Sequence, residues 1–268
     1  MTSAVKPRRI STRTIVISLI AGVVLVAFDA TLVEPNRLEV THSTMRAKIH
    51  EPLTIAHLSD LHSCGLGRHE QKTIDALQDE KPDLIVVTGD SVGEWCEPDA
   101  QRGVLAALHA PLGVWLVRGN WERAHPVRNP DFYATAGVTL LANQNAKIRD
   151  DLWIVGFDDA KTSNSGVEGA LRGLPPGVFT IGLFHSPALF DSLTGRIDLS
   201  LAGHTHGGQV RIPGLPALWL PRGSRPYLEG WYSSQGSRLY VSRGIGASTL
   251  PIRFFSTPEL AIIRLIPE

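Results

Sequence analysis

Seven side chains in this sequence carry donor atoms of the kind that can hold metal ions, and each follows an apolar, strand-like run. Asp60 and His62 follow Leu53–Leu58. Asp90 follows residues 84–87, Asn120 follows Val114–Val117, and His185 follows residues 178–184. His204 and His206 follow Leu199–Ala202. One Asp-x-His or His-x-His is common by chance. Five such run ends converge when the strands share a sandwich, because ligands bind beyond the carboxyl ends of strands in such sheets. Imidazole, carboxylate and one amide oxygen suit Mn, Fe, Zn or Co rather than a thiolate structural zinc. Three or four such groups make one site, and seven make two that share a carboxylate. Two ions roughly 3.5–4 Å apart bind phosphate oxygens, lower the pKa of a water and stabilise in-line displacement at phosphorus.

The elements that must position these groups alternate. After the first run, residues 68–79 and 98–109 read as helices, with Pro98 at a first-turn position, and 130–136 as a short helix. Strand–helix alternation implies parallel strands joined by right-handed crossovers. Beyond residue 138 the style changes. Residues 138–141, 146–149 and 152–157 read as strands with short polar turns, and 167–172 and Pro187–Ser192 as helices. Residues 209–212, 239–242 and 260–265 read as closing strands. Residues 213–238, rich in Pro, Gly and Trp, read as a long surface loop. The expected fold is α/β, a four-layer α-β-β-α sandwich with two mixed sheets inside and helices outside.

The 268 residues, 43% hydrophobic, suffice for one domain with a sizeable core. With 26 basic and 26 acidic residues the net charge is zero, which argues against a nucleic-acid partner. The N-terminus differs in kind. Lys6, Arg8, Arg9 and Arg13 precede an apolar run over 14–28, closed by Asp29. The expected division is a basic region over 1–13, a membrane anchor or uncleaved signal over 14–33, a tether or opening strand over 34–51, and a catalytic domain over 52–268. The run is shorter than the roughly 20 residues that span a bilayer, and reaching past Asp29 to Val33 lengthens it. No small-x-small cleavage site follows, which favours an anchor. A twin-arginine signal at Arg8–Arg9 and a buried helix of the soluble domain are alternatives. The basic cluster places the catalytic domain outside the cytoplasm, while Arg37, Arg46 and Lys48 weigh against that orientation. Cys64 and Cys96 read as unrelated small residues, and a bridge between them needs neighbouring loops and an oxidising compartment.

Taken together, Asp60-x-His62, Gly89–Asp90, Gly119–Asn120, His185 and Gly203–His204–Thr205–His206 resemble the calcineurin-like metallophosphoesterases over residues 53–206. Gly207–Gly208–Gln209, residues 250–254 and Pro258–Glu259 look like a bacterial branch with an N-terminal membrane or export segment. The resemblance implies one ion on Asp60, His62, Asp90 and His206. It implies a second on Asp90, Asn120, His185 and His204, with Asp90 bridging and a metal-bridging hydroxide as nucleophile. The implied substrates are phosphomonoesters, phosphodiesters or a pyrophosphate. One position departs from the pattern: where the family has a histidine after Gly-Asn, this chain has Trp121, followed by Glu122. That histidine contacts phosphate and protonates the leaving oxygen; an indole N–H donates a hydrogen bond but transfers no proton. Three outcomes are expected from the change: a preference for activated leaving groups, replacement of the acid by Glu122 or His125, or stacking of Trp121 on a sugar or base ring.

Among the remaining residues, His57 reads as a core histidine, and His69 and His109 as solvated. Arg118 reads as an ion-pair partner, whereas Arg243 and Arg253 stay open between structural and substrate-facing roles. Trp95, Trp219 and Trp231, with Leu215, Leu218 and Leu220, read as a self-packed loop or as an apolar patch for a membrane or lipid. The expected function is a monomeric, membrane-tethered, dinuclear phosphohydrolase for a phosphorylated small molecule or a lipid-linked or cell-envelope substrate. The alternative is a catalytically weakened metal-binding member that acts as a binding or regulatory module.

Overall fold

The structure, a computed structural model, describes residues 11–93, 96–124, 127, 129–158 and 164–268. The helices are α1 (Thr12–Phe28), α2 (Arg68–Glu80), α3 (Pro98–Ala106), α4 (Asn120–Ala124), α5 (Pro130–Ala134) and α6 (Asn164–Leu171). The strands are β1 (Glu39–Ala47), β2 (Leu53–Leu58), β3 (Leu84–Thr88), β4 (Val114–Val117), β5 (Thr139–Leu140) and β6 (Gln144–Arg149). They continue with β7 (Leu152–Gly156), β8 (Phe179–Leu183), β9 (Leu199–Ala202), β10 (Gly230–Ser234), β11 (Ser237–Val241) and β12 (Glu259–Pro267).

Strands β3 and β8 are buried along their whole length, as central parallel strands are. They sit inside two six-stranded sheets, ordered β1-β12-β2-β3-β4-β5 and β10-β11-β9-β8-β7-β6. The ligand-bearing strands β2, β3 and β4 run parallel in the first sheet, and β8 and β9 run parallel in the second. The sheets face each other through Ile55, Val86, Val117 and Ile263 on one side and Ile154, Ile181, Leu183 and Leu201 on the other. Alternate residues point outward, as the two-residue period of a strand requires. Thus Leu58, Val87 and Leu116 meet Leu77 of α2, Leu105 of α3 and Tyr133 of α5. Val155 and Phe184 meet Val167 and Ala170 of α6. These four layers agree with the expected sandwich.

Three boundaries differ from the sequence reading. The segment read as a tether or an opening strand holds a strand, β1, which pairs in parallel with β12 from Glu39↔Glu259 to Ala47↔Pro267. It covers an edge that would otherwise expose β12, so the folded domain begins before residue 52. The loop expected over 213–238 ends early, because β10 and β11 form a hairpin turning at Gln235 and Gly236, both at positive φ. Residues 209–212 make only a single bridge, Val210 to Phe254, instead of a strand.

At the N-terminus, α1 continues without a break into tighter and wider turns, so the helical stretch runs Thr12–Asn36, 25 residues. That length and apolarity suffice to cross a membrane. None of α1 is buried in the domain, so it is no core helix. Its far end is held firmly. The Glu34 carboxylate accepts the N–H groups of Phe255 and Ser256, and the Arg253 N–H donates to the Ala30 carbonyl at 2.9 Å.

Candidate metal centre

The loops leaving β2 and β3 run side by side, laced by Asp60 N–H to Gly89 O and His62 N–H to Asp90 O, each 3.0 Å. Those leaving β8 and β9 are joined by Gly203 N–H to His185 O. Cys64 and Cys96 form a disulfide between the loops that follow β2 and β3, so the reading of them as unrelated is corrected. The result brings six of the seven expected side chains into two facing groups. Asp60, His62 and His206 form one; Asp90, His185 and His204 form the other. Five of these six residues, Asp60, His62, Asp90, His204 and His206, have left-handed backbone. Such φ values are costly for residues other than glycine and cluster at functional sites.

Each carboxylate has one oxygen engaged and one aimed inward. Asp60 Oδ2 accepts from Ser59 Oγ at 2.6 Å and from the His204 N–H at 2.9 Å. Asp60 Oδ1 is buried without a hydrogen-bond partner, 3.3 Å from His206 Nε2. Asp90 Oδ1 accepts the Trp121 N–H at 2.9 Å. Asp90 Oδ2 lies 3.1 Å from His185 Nε2 and 3.9 Å from His62 Nε2, so it reaches both groups. The imidazoles are oriented the same way. His185 Nδ1–H donates to the Thr88 carbonyl at 2.7 Å, and His204 Nε2–H to the Arg222 carbonyl at 2.9 Å. Those bonds select the tautomers that turn His185 Nε2 and His204 Nδ1 toward each other, 3.0 Å apart. His62 Nε2 and His206 Nε2 approach to 3.2 Å. Buried nitrogens facing nitrogens and an orphaned carboxylate oxygen are the donor set a divalent cation satisfies.

Burial pushes His62 down to about 4 and His206 down to about 3, so both are neutral and ligand-ready at pH 7. Burial opposes the charge on Asp60, yet the histidines His206, His185 and His62 hold it well below the usual carboxylate range. Burial raises Asp90. His185 is also raised: burial opposes its charge, and the Asp90 carboxylate beside it outweighs that. Together these two groups hold a proton that a metal would displace.

Asn120 opens α4 and is exposed at the rim, next to Gly119, whose backbone lies against Asp90. Trp121 is partly buried and meets the His62 ring edge-on, centroids 5.1 Å apart. Glu122, expected as a substitute acid, is fully buried and differently engaged. Its carboxylate accepts the N–H groups of Asp90, Ser91 and Gly119 and the Ser91 hydroxyl, at 2.6–3.0 Å. That makes it an anchor for the ligand loops and a poor proton donor. His125 and Trp95 lie outside the described residues.

Arg118 forms a two-pronged pair with Asp158, Nη2 to Oδ2 at 2.6 Å and Nε to Oδ1 at 3.0 Å. Arg253 is fully buried, its guanidinium donating to the carbonyls of Arg243, Gly244, Gly246 and Ser256, and Arg243 pairs with Glu39. His57 is buried and bonded to Thr88 Oγ1 at 2.8 Å, while His109 is exposed. His69 is half-buried and lines a small pocket with His62. Sequence reasoning missed the carbonyls of Thr88 and Arg222 that fix the imidazoles, because a backbone acceptor leaves no residue-type signal.

A profile of the calcineurin-like phosphoesterases matches residues 53–208, more than half of the chain. The chain belongs to the calcineurin-like phosphoesterase family. It is similar to the uncharacterized metallophosphoesterase YkuE of Bacillus subtilis, 30% identical over 88% of each chain. It is likewise similar to an uncharacterized metallophosphoesterase of Aquifex aeolicus, 30% identical over 80% of this chain and 85% of that one. A third relative is the UDP-2,3-diacylglucosamine pyrophosphatase LpxG of Chlamydia trachomatis, 26% identical over 94% of this chain and 96% of that one. Membership makes this chain a hydrolase of the metallophosphoesterase kind, with two candidate metal-binding groups.

Proposed function

We propose that this chain is a dinuclear, metal-dependent phosphohydrolase, anchored through α1, that cleaves a phosphoester or phosphoanhydride in a lipid-linked or cell-envelope substrate. The observation that carries the reading is the pair of donor groups facing each other across Asp90 Oδ2. Asp60, His62, Asp90 and His206 would hold one divalent ion, and Asp90, Asn120, His185 and His204 the other, with Mn, Fe, Zn or Co suiting these donors. Bound there, the ions supply Lewis acidity toward phosphate oxygens and a water of lowered pKa.

The chain's own residues then decide which phosphates suit the site. Trp121 presents an indole where a proton donor is expected, and the Glu122 carboxylate is saturated by four donors. With neither group able to protonate a leaving oxygen, leaving groups that depart as weak bases are favoured. A pyrophosphate linkage meets that need, and the Chlamydia relative's name supports a lipid-bearing one. The disulfide Cys64–Cys96 and the basic residues ahead of α1 support a domain on the extracytoplasmic side, where disulfides persist.

The test uses the full-length protein with Mn²⁺ and an aryl phosphodiester. Asp90→Asn should lower kcat at least about 100-fold and reduce bound metal measured by mass spectrometry. Unchanged turnover in Asp90→Asn would sink the reading. A second reading, a catalytically weakened metal-binding module, is favoured by Trp121. Two bound metals with no turnover of alkyl, aryl or pyrophosphate substrates would select it.

A further inference from the structure

An apolar cavity of about 280 Å³ opens directly beside the metal centre, sharing His206 as one wall. Val210, Leu218, Trp219, Leu250 and Ile252 supply its apolar lining. Leu218, Trp219 and Leu250 are 63%, 67% and 57% exposed, a cluster that water solvates poorly. None of these side chains has a part in holding metal.

What covers this surface follows from the fold. The wall segment ending at Ile252 leads directly into Arg253, whose N–H is bonded to Ala30 of the apolar N-terminal helix. Glu34, at the end of that helix, grips Phe255 and Ser256, and the Ser256 hydroxyl donates to the His206 carbonyl at 2.6 Å. Helix end, cavity wall and metal ligand are thus tied together within a few residues. A helix that enters a bilayer therefore delivers the cavity mouth to the bilayer surface, with the metal donors behind it.

We propose that this cavity is the subsite for the hydrocarbon chain of a membrane-resident phosphate substrate, whose phosphate reaches the donors around His206. The proposal rests on the phosphohydrolase reading and adds the chain-binding surface to it. Each methylene buried there strengthens binding about fourfold.

The test places the full-length, Mn²⁺-loaded protein in phosphatidylcholine nanodiscs and titrates ethyl, hexyl and decyl phosphate by calorimetry. Affinity should rise with chain length. The double variant Trp219→Ser, Leu250→Ser should lower the decyl-to-ethyl affinity ratio at least tenfold, and Trp219→Phe, Leu250→Met should keep it. Partitioning into the disc is common to all three proteins, so the difference reads the cavity. Both side chains are exposed, and a melting curve checks that the fold survives. An unchanged ratio in the serine variant overturns the proposal, including the case in which that variant only weakens contact with the disc. A chain-length effect without turnover of any phosphoester removes the hydrolase reading and keeps the subsite. Turnover with no chain-length effect removes the subsite alone.

Discussion

Glu122 and Trp121 are neighbours in sequence with opposite orientations, and each sets a limit on the chemistry. Glu122 collects three backbone N–H groups and one hydroxyl in a fully buried position. Truncating it leaves those donors unsatisfied. Glu122→Ala should therefore cost about 3 kcal/mol and lower Tm by roughly 6–12 °C; a melting temperature unchanged from wild type would refute the anchoring role. Trp121 offers its backbone N–H to Asp90 and its ring to His62. Restoring a proton donor with Trp121→His should raise the rate on an alkyl phosphate at least about tenfold, and the rate on an aryl phosphate less. Equal changes on the two substrates would show that leaving-group protonation is not limiting here.

At the scale of elements, the site is made from strand ends that bend sharply. Five candidate ligands adopt left-handed backbone, which only a tightly packed surround sustains. Glycines make room for that packing. A Cβ on Gly203 would overlap Ser59 Oγ and Asp60 Oδ2, and one on Gly119 would overlap Asp90 Oδ1. Gly203→Ala should accordingly reduce metal bound per chain, as mass spectrometry would report. Gly103, inside α3 with open space around its Cα, is the control: alanine there should stabilise by about 0.5–1 kcal/mol through helix propensity. If both variants bind metal like wild type, close approach at Gly203 is not what shapes the site.

At the scale of the whole molecule, two sheets press a titratable group between them. His57 lies fully buried and is pushed down to about 3 by burial. In the unfolded chain a histidine takes up a proton near pH 6.5, whereas folded His57 stays neutral until far lower pH. The unfolded state therefore binds the extra proton across that window, and stability falls as pH drops from about 6.5 toward 3. The loss amounts to about 2 kcal/mol at pH 5. His57→Gln should flatten that part of the acid dependence, read as denaturant midpoints at pH 7 and pH 5. An identical pH dependence in the variant would exclude His57 as a source. The same long-range packing ties the apolar N-terminal helix to the cavity and the candidate metal donors, through the grip of Glu34 on Phe255 and Ser256 and of Ser256 on the His206 carbonyl.

By itself the sequence determined the candidate donors and where they stand: seven side chains, each just past an apolar run, and alternating elements that make those runs strands of a layered α/β fold. These are local properties, encoded by neighbouring residues through hydrophobic period and turn chemistry. It misjudged β10 because Gly230–Ser234 is a short, half-exposed edge strand that only its pairing with β11 defines. It left residues 34–51 open between a tether and an opening strand because β1 gains its identity from β12, more than two hundred residues away. The tertiary structure alone decided the pairing of Cys64 with Cys96 and the four donors that occupy Glu122. It alone decided the carbonyls of Thr88 and Arg222 that set two tautomers, and the apolar cavity behind His206. Each of these depends on which distant segments pack together, and that is fixed only when the two sheets close on their shared core.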